Sequence, residues 1–116
     1  NWVGFYTVQP DGNLLLGPFQ GKPACIRIKA GRGVCGTALA EKKTLRVADV
    51  HAFPGHIACD SASRAEIVVP VMKDGKVYAV LDVDSPFENR FTAGDEAFFR
   101  EKSPRFWRKN FESISG

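Results

Sequence analysis

Residues 65–84 read AEIVVPVMKDGKVYAVLDVD, and this stretch decides the fold. Two runs rich in β-branched residues, 65–72 and 76–84, flank Asp74-Gly75. This dipeptide favours a tight turn between antiparallel strands. The stretch therefore predicts a β-hairpin, the clearest in the chain.

Shorter elements are expected on both sides of this hairpin. Strands are predicted over 2–8, 14–16, 24–29 and 44–47, with a loop over 17–23 that carries two glycines and two prolines. A helix should begin at Gly31-Arg32-Gly33 and run through Lys42. A second helix is predicted over 93–102, capped by Thr92 with Asp95 and stopped by Pro104. This order indicates an α+β fold with a central antiparallel sheet.

Composition limits the kind of protein. A chain of 116 residues with 44% hydrophobic and 25% charged residues predicts one folded domain over 1–116, which argues against global disorder. No apolar run is long enough to span a bilayer, so no membrane association is expected. The net charge of +3 comes largely from basic residues near the end, as in a solvated helix, and no nucleic-acid partner is predicted. The chain opens inside a strand, which predicts missing upstream sequence.

The cysteines are three in number, Cys25, Cys35 and Cys59, and none lies in a Cys-x-x-Cys pair. An odd count does not fit a disulfide-stapled secreted scaffold, so a reducing compartment, the cytoplasm, is expected. Each cysteine could simply be a small buried hydrophobe. A zinc site formed with His51 or His56 fits no compact zinc motif, and no metal is predicted.

Two carboxylates, Asp82 and Asp84, alternate on the second hairpin strand and should leave the same face, together with Tyr78 and Val80. Neighbouring carboxylates repel, so the pKa of at least one should rise unless a cation lies between them. Such a pair suits a ligand's ammonium group. The alternative is a strand end that frays into solvent.

Glu66 belongs to this acidic group only if the hairpin register allows it. A two-residue loop at Asp74-Gly75 pairs Lys73 with Lys76 and leaves Glu66 opposite Val83, on the wrong face. A three-residue loop places Glu66 opposite Asp82 and gathers three acids on one face. Both loops are common, so the sequence leaves the choice open.

The thiols offer the second chemical feature. Cys59 lies on a long loop, 48–63, beside His56, which can lower the pKa of a thiol or carry a proton. Cys35 lies in the first helical turn, where the helix dipole favours thiolate. Sulfur redox chemistry needs an attacking and a resolving thiol, and the sequence does not say which pair lies within reach. Trp2 could line an apolar pocket or belong to the core.

Several stretches together resemble the free methionine-(R)-sulfoxide reductases, which are stand-alone GAF domains. The resemblance covers about residues 1–98. It is carried by NWVGFY (1–6), GPFQGK (17–22), GRGVCGT (31–37), DVH (49–51), GHIACD (55–60), EIVVP (66–70) and VLDVDS (80–85). Generic GAF domains share the glycine-rich turn and the Leu-Asp strand but not three cysteines in these contexts.

The resemblance implies a fold, a reaction and a site. It implies reduction of free L-methionine-(R)-sulfoxide, with Cys59 as attacking thiolate, Cys25 as resolving thiol and Cys35 as an alternative resolving or relay thiol. The substrate-binding residues implied are Glu66, Asp82, Asp84 and Trp2. It further implies recycling by thioredoxin, no bound cofactor, and a chain that can form a homodimer. The alternative is a GAF module that binds a small ligand without turnover.

The chain departs from this family at both ends. The helix that precedes the first strand in GAF domains is missing, and residues 100–104 interrupt the final helix where the family continues an apolar stripe. The loss of helical cover should expose one face of the sheet. Low solubility or a partner-dependent fold is therefore predicted.

Overall fold

The computed structural model describes residues 2–22, 24–53 and 63–110. These residues form a six-stranded antiparallel sheet, two helices and a short 3-10 turn at Val50–Ala52. The strands are β1 (Trp2–Val8), β2 (Leu14–Gln20), β3 (Arg27–Ile28), β4 (Leu45–Val47), β5 (Ala65–Lys73) and β6 (Lys76–Ser85). The helices are α1 (Gly33–Glu41) and α2 (Ala93–Asn110). The sheet order is β3-β2-β1-β6-β5-β4, so the predicted hairpin β5–β6 lies inside the sheet and the α+β prediction is confirmed.

The central strands are buried on both faces, which explains why β5 reads as a nearly continuous apolar run. On the face of the sheet that helix α1 covers, which we call the α1 face, one cluster of side chains is buried: Trp2, Tyr6, Leu14, Ile28, Val34, Cys35, Ala38, Val68, Val77 and Val80. A second cluster is buried on the opposite face, under helix α2, which we call the α2 face: Phe5, Ala65, Ile67, Val69, Val71, Ala79, Leu81, Phe91 and Trp107. Alternation along β5 and β6 therefore directs every second side chain toward a different helix.

Strand β2 continues through the predicted loop over 17–23, as far as Gln20. The register between β1 and β2 shifts by one residue where Gly17-Pro18 lies opposite Phe5, which is a β-bulge. Only Leu14 and Leu15 of β2 pair with β3. Pro18 therefore lies where β2 has no strand on that side, and its missing N–H costs no hydrogen bond to β3. The loop prediction was wrong for residues 17–20, because a bulge accommodates both Gly17 and Pro18 within the strand.

Helix α2 was expected to end before Pro104, but it runs on to Asn110 with Pro104 inside it. The capping prediction is confirmed, since Thr92 and Asp95 exchange hydrogen bonds of 2.9 and 3.1 Å at the N-terminus. Beyond the proline, Trp107 is buried and its ring lies 5.0 Å from that of Phe5. Burial of this aromatic side chain outweighs the lost helical hydrogen bond, which explains the error. No helix among the described residues is long and apolar enough to cross a membrane.

The α2 face keeps an open apolar groove beside the helix. Its volume is about 290 Å³, and it lies between β1, β6 and α2. Val3, Phe98 and Phe106 border the groove and are 40%, 55% and 53% exposed. The predicted exposure of one sheet face is therefore limited to the rim of this groove, because Phe5 and Leu81 on that face are only 5% and 6% exposed. Its effect on solubility stays a prediction.

Helix α1 approaches the preceding loop through Gly36. The amide of Gly31 donates to the Gly36 carbonyl at 2.8 Å, so the two backbones run side by side. A Cβ at position 36 would collide with the Lys29 carbonyl and lie 3.1 Å from the Gly31 nitrogen. Glycine is required here because another backbone occupies the space of a side chain.

Gly36→Ala should lower the free energy of unfolding by about 1–3 kcal/mol, because the clash exceeds the gain of about 1 kcal/mol that alanine gives in a helix. Gly94→Ala is the matched control, since its Cβ would have only the Thr92 hydroxyl at 3.6 Å and should leave stability unchanged or slightly higher. Urea unfolding of both variants measures the difference. Equal stabilities would show that the backbone contact is not tight.

Candidate functional site

The register of the β5–β6 hairpin agrees with neither of the two alternatives for Glu66. The loop is the two-residue Asp74-Gly75 turn, with Lys73 paired to Lys76 and Asp74 at φ +54°. The register then shifts by one between Val71 and Met72, so that Glu66 pairs with Asp84. A β-bulge thus returns Glu66 to the face of Asp82 and Asp84, whereas the two-residue loop alone would have put it on the opposite face.

The extra residue of this bulge is Tyr78, because Val77 pairs with Met72 while Ala79 pairs with Val71. The prediction that Tyr78 shares a face with Val80 was therefore wrong. Val77 takes that place in the α1-face cluster. Tyr78 is 36% exposed, and the Lys76 ammonium lies 5.5 Å from the centre of its ring.

Below the bulge, acidic side chains converge on the α1 face, as the carboxylate prediction required. Asp82 and Glu66 are buried, and the Cys35 sulfur lies 3.7 Å from Glu66 Oε2. One ligand-type atom from each of Cys35, Glu66 and Asp82 lies within 4.8 Å of the others. Asp84 is close enough to hydrogen-bond with both Asp82 and Glu66. We call these four residues the thiol–carboxylate cluster; the frayed-end alternative is wrong, because Asp82 and Ser85 are buried.

Burial keeps protons on this cluster. It raises the pKa of Asp84 to about 8, helped by the negative charge of Glu66. Burial, followed by the negative charge of Glu66, raises the pKa of Asp82 well above its ordinary value. The Cys35 thiol also has its pKa raised by burial and then by Asp82. The predicted thiolate at the start of α1 is wrong, because desolvation and nearby carboxylates outweigh the helix dipole.

An aromatic wall stands beside the carboxylates. Trp2 pairs with Asp84 across the β1–β6 ladder, and Gly4 pairs with Asp82. The indole folds back over Gly4, where a Cβ would lie 2.5 Å from the ring. Trp2 stacks on Phe19 at 5.7 Å and donates through Nε1 to the Lys22 carbonyl at 2.9 Å. Trp2 is thus a core residue that also lies beside the carboxylates.

Gly4 is a site residue that sequence reasoning missed. Its missing side chain leaves room for the indole beside Asp82. The glycine in the NWVGFY stretch, two residues after a tryptophan on a strand, was the available signal. Tyr6 also belongs here, since its hydroxyl donates to the Cys25 carbonyl at 2.9 Å.

The predicted cysteines divide into three cases. Cys25 is disulfide-bonded and half-buried beside the α1-face cluster. Cys35 is a buried free thiol. Cys59 and the neighbouring His56 lie outside the described residues. The structure therefore brings together Cys35, Glu66, Asp82, Asp84 and Trp2, with Cys25 tethered next to them through Tyr6.

The six-stranded sheet and its two helices have the architecture of a GAF domain, and the GAF domain family model matches residues 1–103. The chain is 60% identical over 102 residues to Protein YtsP of Bacillus subtilis. That alignment covers 87% of this chain and 63% of YtsP. It is 48% identical over 124 residues to the free methionine-R-sulfoxide reductase of Escherichia coli, covering 100% of this chain and 74% of that protein. The chain belongs to the free methionine-R-sulfoxide reductase family of GAF domains.

A solved structure supports the same relationship. The free methionine-R-sulfoxide reductase of Neisseria meningitidis, determined in complex with its substrate, superposes with a TM-score of 0.88 at 49% identity. The match covers 96% of this chain and 66% of that chain. The chain spans less than two thirds of the length of YtsP.

Asp84→Asn should make the fold less sensitive to pH. With a pKa of about 8 in the folded state against 3.8 ordinarily, Asp84 holds its proton in the fold after the unfolded chain has lost it. The free energy of unfolding should therefore fall as the pH rises from about 4 to about 8, by up to about 1.4 kcal/mol per pH unit. The variant should gain stability relative to the parent over that range.

Urea unfolding at a series of pH values measures this difference. Asp74→Asn, the same change at the exposed turn of the same hairpin, should follow the parent curve. Parallel curves for Asp84→Asn and the parent would contradict a buried, protonated Asp84.

Proposed function

We propose that this chain reduces free L-methionine-(R)-sulfoxide to L-methionine with cysteine thiols. The observation that carries the proposal is the thiol–carboxylate cluster next to the Trp2 ring. It offers negative charge and protons next to an aromatic surface. The names of the relatives in Escherichia coli and Neisseria meningitidis support the same activity.

The substrate is an amino acid with an ammonium group, a polar sulfoxide and a methyl end. The carboxyl groups of Glu66, Asp82 and Asp84 suit the ammonium, because an opposite charge offsets the cost of their burial. Trp2 suits the methyl end as an apolar wall. A methionine sulfoxide within a peptide has no ammonium group to present, so the proposal includes preference for the free amino acid.

The reaction requires a thiolate that attacks the sulfoxide sulfur and an acid for the departing oxygen. We assign the attack to Cys59. Its sulfur takes the oxygen and becomes a sulfenic acid as methionine leaves. A protonated Asp82 or Asp84 is suited to supply the proton, because both have raised pKa values.

The sulfenic acid is then resolved by a second thiol, which forms a disulfide and releases water. We assign this step to Cys25. Its support is that Cys25 is engaged in a disulfide, whereas Cys35 is a free thiol. Cys35 remains the alternative resolving or relay thiol. Thioredoxin, as a dithiol reductant, would return the disulfide to two thiols.

Reduced protein incubated with each epimer of free methionine sulfoxide should release methionine from the R epimer at least about 100-fold faster than from the S epimer. N-acetylation of the R epimer removes its ammonium charge and should lower kcat/KM by about 10- to 100-fold. Chromatography of released methionine measures both ratios. Equal epimer rates would refute the assignment, and binding without release would favour the ligand-binding GAF module.

Serine replacements should separate the cysteine roles. Cys59→Ser should abolish release of methionine, because hydroxyl oxygen does not replace the attacking sulfur. Cys25→Ser should release about one methionine per chain and then stop, because the sulfenic acid is left unresolved. Rapid-quench measurements and a sulfenic-acid probe test both outcomes. Continued turnover in both variants would contradict the assignment, and a burst in Cys35→Ser in place of Cys25→Ser would reverse the two resolving roles.

A further inference from the structure

The thiol–carboxylate cluster also carries the donor atoms of a metal site. Cys35, Glu66 and Asp82 each present one ligand-type atom, and these atoms lie within 4.8 Å of one another. All three residues are buried. We propose that the cluster binds one zinc-class divalent cation through Cys35, Glu66 and Asp82, and that the cation competes with the substrate's ammonium group.

The spacing of the donors fits a small tetrahedral ion. Zinc binds sulfur at about 2.3 Å and carboxylate oxygen at about 2.0–2.2 Å, so neighbouring ligands around it lie roughly 3.5 Å apart. The Cys35 sulfur and Glu66 Oε2 are 3.7 Å apart. Three protein ligands leave a fourth position open for a water molecule.

A second observation points to a missing positive partner. Asp82 is 5% exposed, and its Oδ1 atom accepts no hydrogen bond from any residue that the structure describes. A buried carboxyl oxygen without a partner is costly, and such atoms are usually satisfied by a donor or a cation. A cation held by the Asp82 carboxyl group would remove this deficit.

The chemistry of the donors selects the kind of metal. One thiolate with carboxylate oxygens suits zinc or cobalt, whereas magnesium and calcium prefer six or more oxygen ligands. The site does not depend on the proposed disulfide, because Cys35 is a free thiol while Cys25 is disulfide-bonded. Metal binding is therefore testable apart from catalysis. The competition with substrate alone rests on the proposed function.

The test uses the full chain with its disulfide intact, titrated with Co²⁺ and followed by absorption spectroscopy. Thiolate-to-cobalt charge transfer and the visible bands of tetrahedral cobalt should rise to saturation at about one ion per chain. Cys35→Ser should lose the charge-transfer band. Asp82→Asn should weaken binding at least about tenfold. Asp74→Asn, on the exposed turn, should bind as the parent does.

Two further measurements complete the test. Zn²⁺ should raise the melting temperature of the parent and of Asp74→Asn, but not that of Asp82→Asn, which covers the case in which Cys35→Ser fails to fold. Absence of the charge-transfer band and of the Zn²⁺-induced shift in the parent would overturn the metal site. In turnover assays Zn²⁺ should raise KM for the sulfoxide without changing kcat. Metal binding with no effect on KM would overturn the competition while leaving the site and the reductase activity intact.

Discussion

The structure depends on burying one thiol and several carboxyl groups on the inner face of a sheet. Asp82 comes from a central strand, Glu66 from the neighbouring strand, and Cys35 from the first turn of the helix that covers both. Such burial normally costs free energy, and protons on Asp82, Asp84 and Cys35 reduce that cost. The fold therefore keeps several protonated groups together on one face of the sheet.

Every other feature of the site supports that arrangement. Trp2 lies beside the carboxylates on the side of β1, and Gly4 makes room for its ring. Gly36 lets α1 come close enough to the preceding loop to bring Cys35 over the sheet. The apolar groove on the opposite face is separate, because the alternation of the strands directs its side chains away from the acids.

Most strands and the acidic pair could be read from the sequence because their signals are local. Alternating residues, a strong turn dipeptide and a capping pair each act over a few residues. The bulge at Tyr78 could not be read in this way, because it depends on which side chains fit against β5 and α1. The continuation of helix α2 past Pro104 likewise depends on a contact with Phe5, which lies about a hundred residues earlier in the chain. The resemblance supplied the grouping of Glu66 with the two aspartates, while geometry alone left it open.

The buried state of Cys35 has a consequence for anyone who labels this chain. A thiol that holds its proton and is 4% exposed is a poor nucleophile toward alkylating reagents and peroxide. In the metal-free native protein Cys35 should therefore react more slowly with a labelling reagent than it does after denaturation. Mass spectrometry of native and denatured samples after labelling then shows whether helix α1 still covers the thiol–carboxylate cluster.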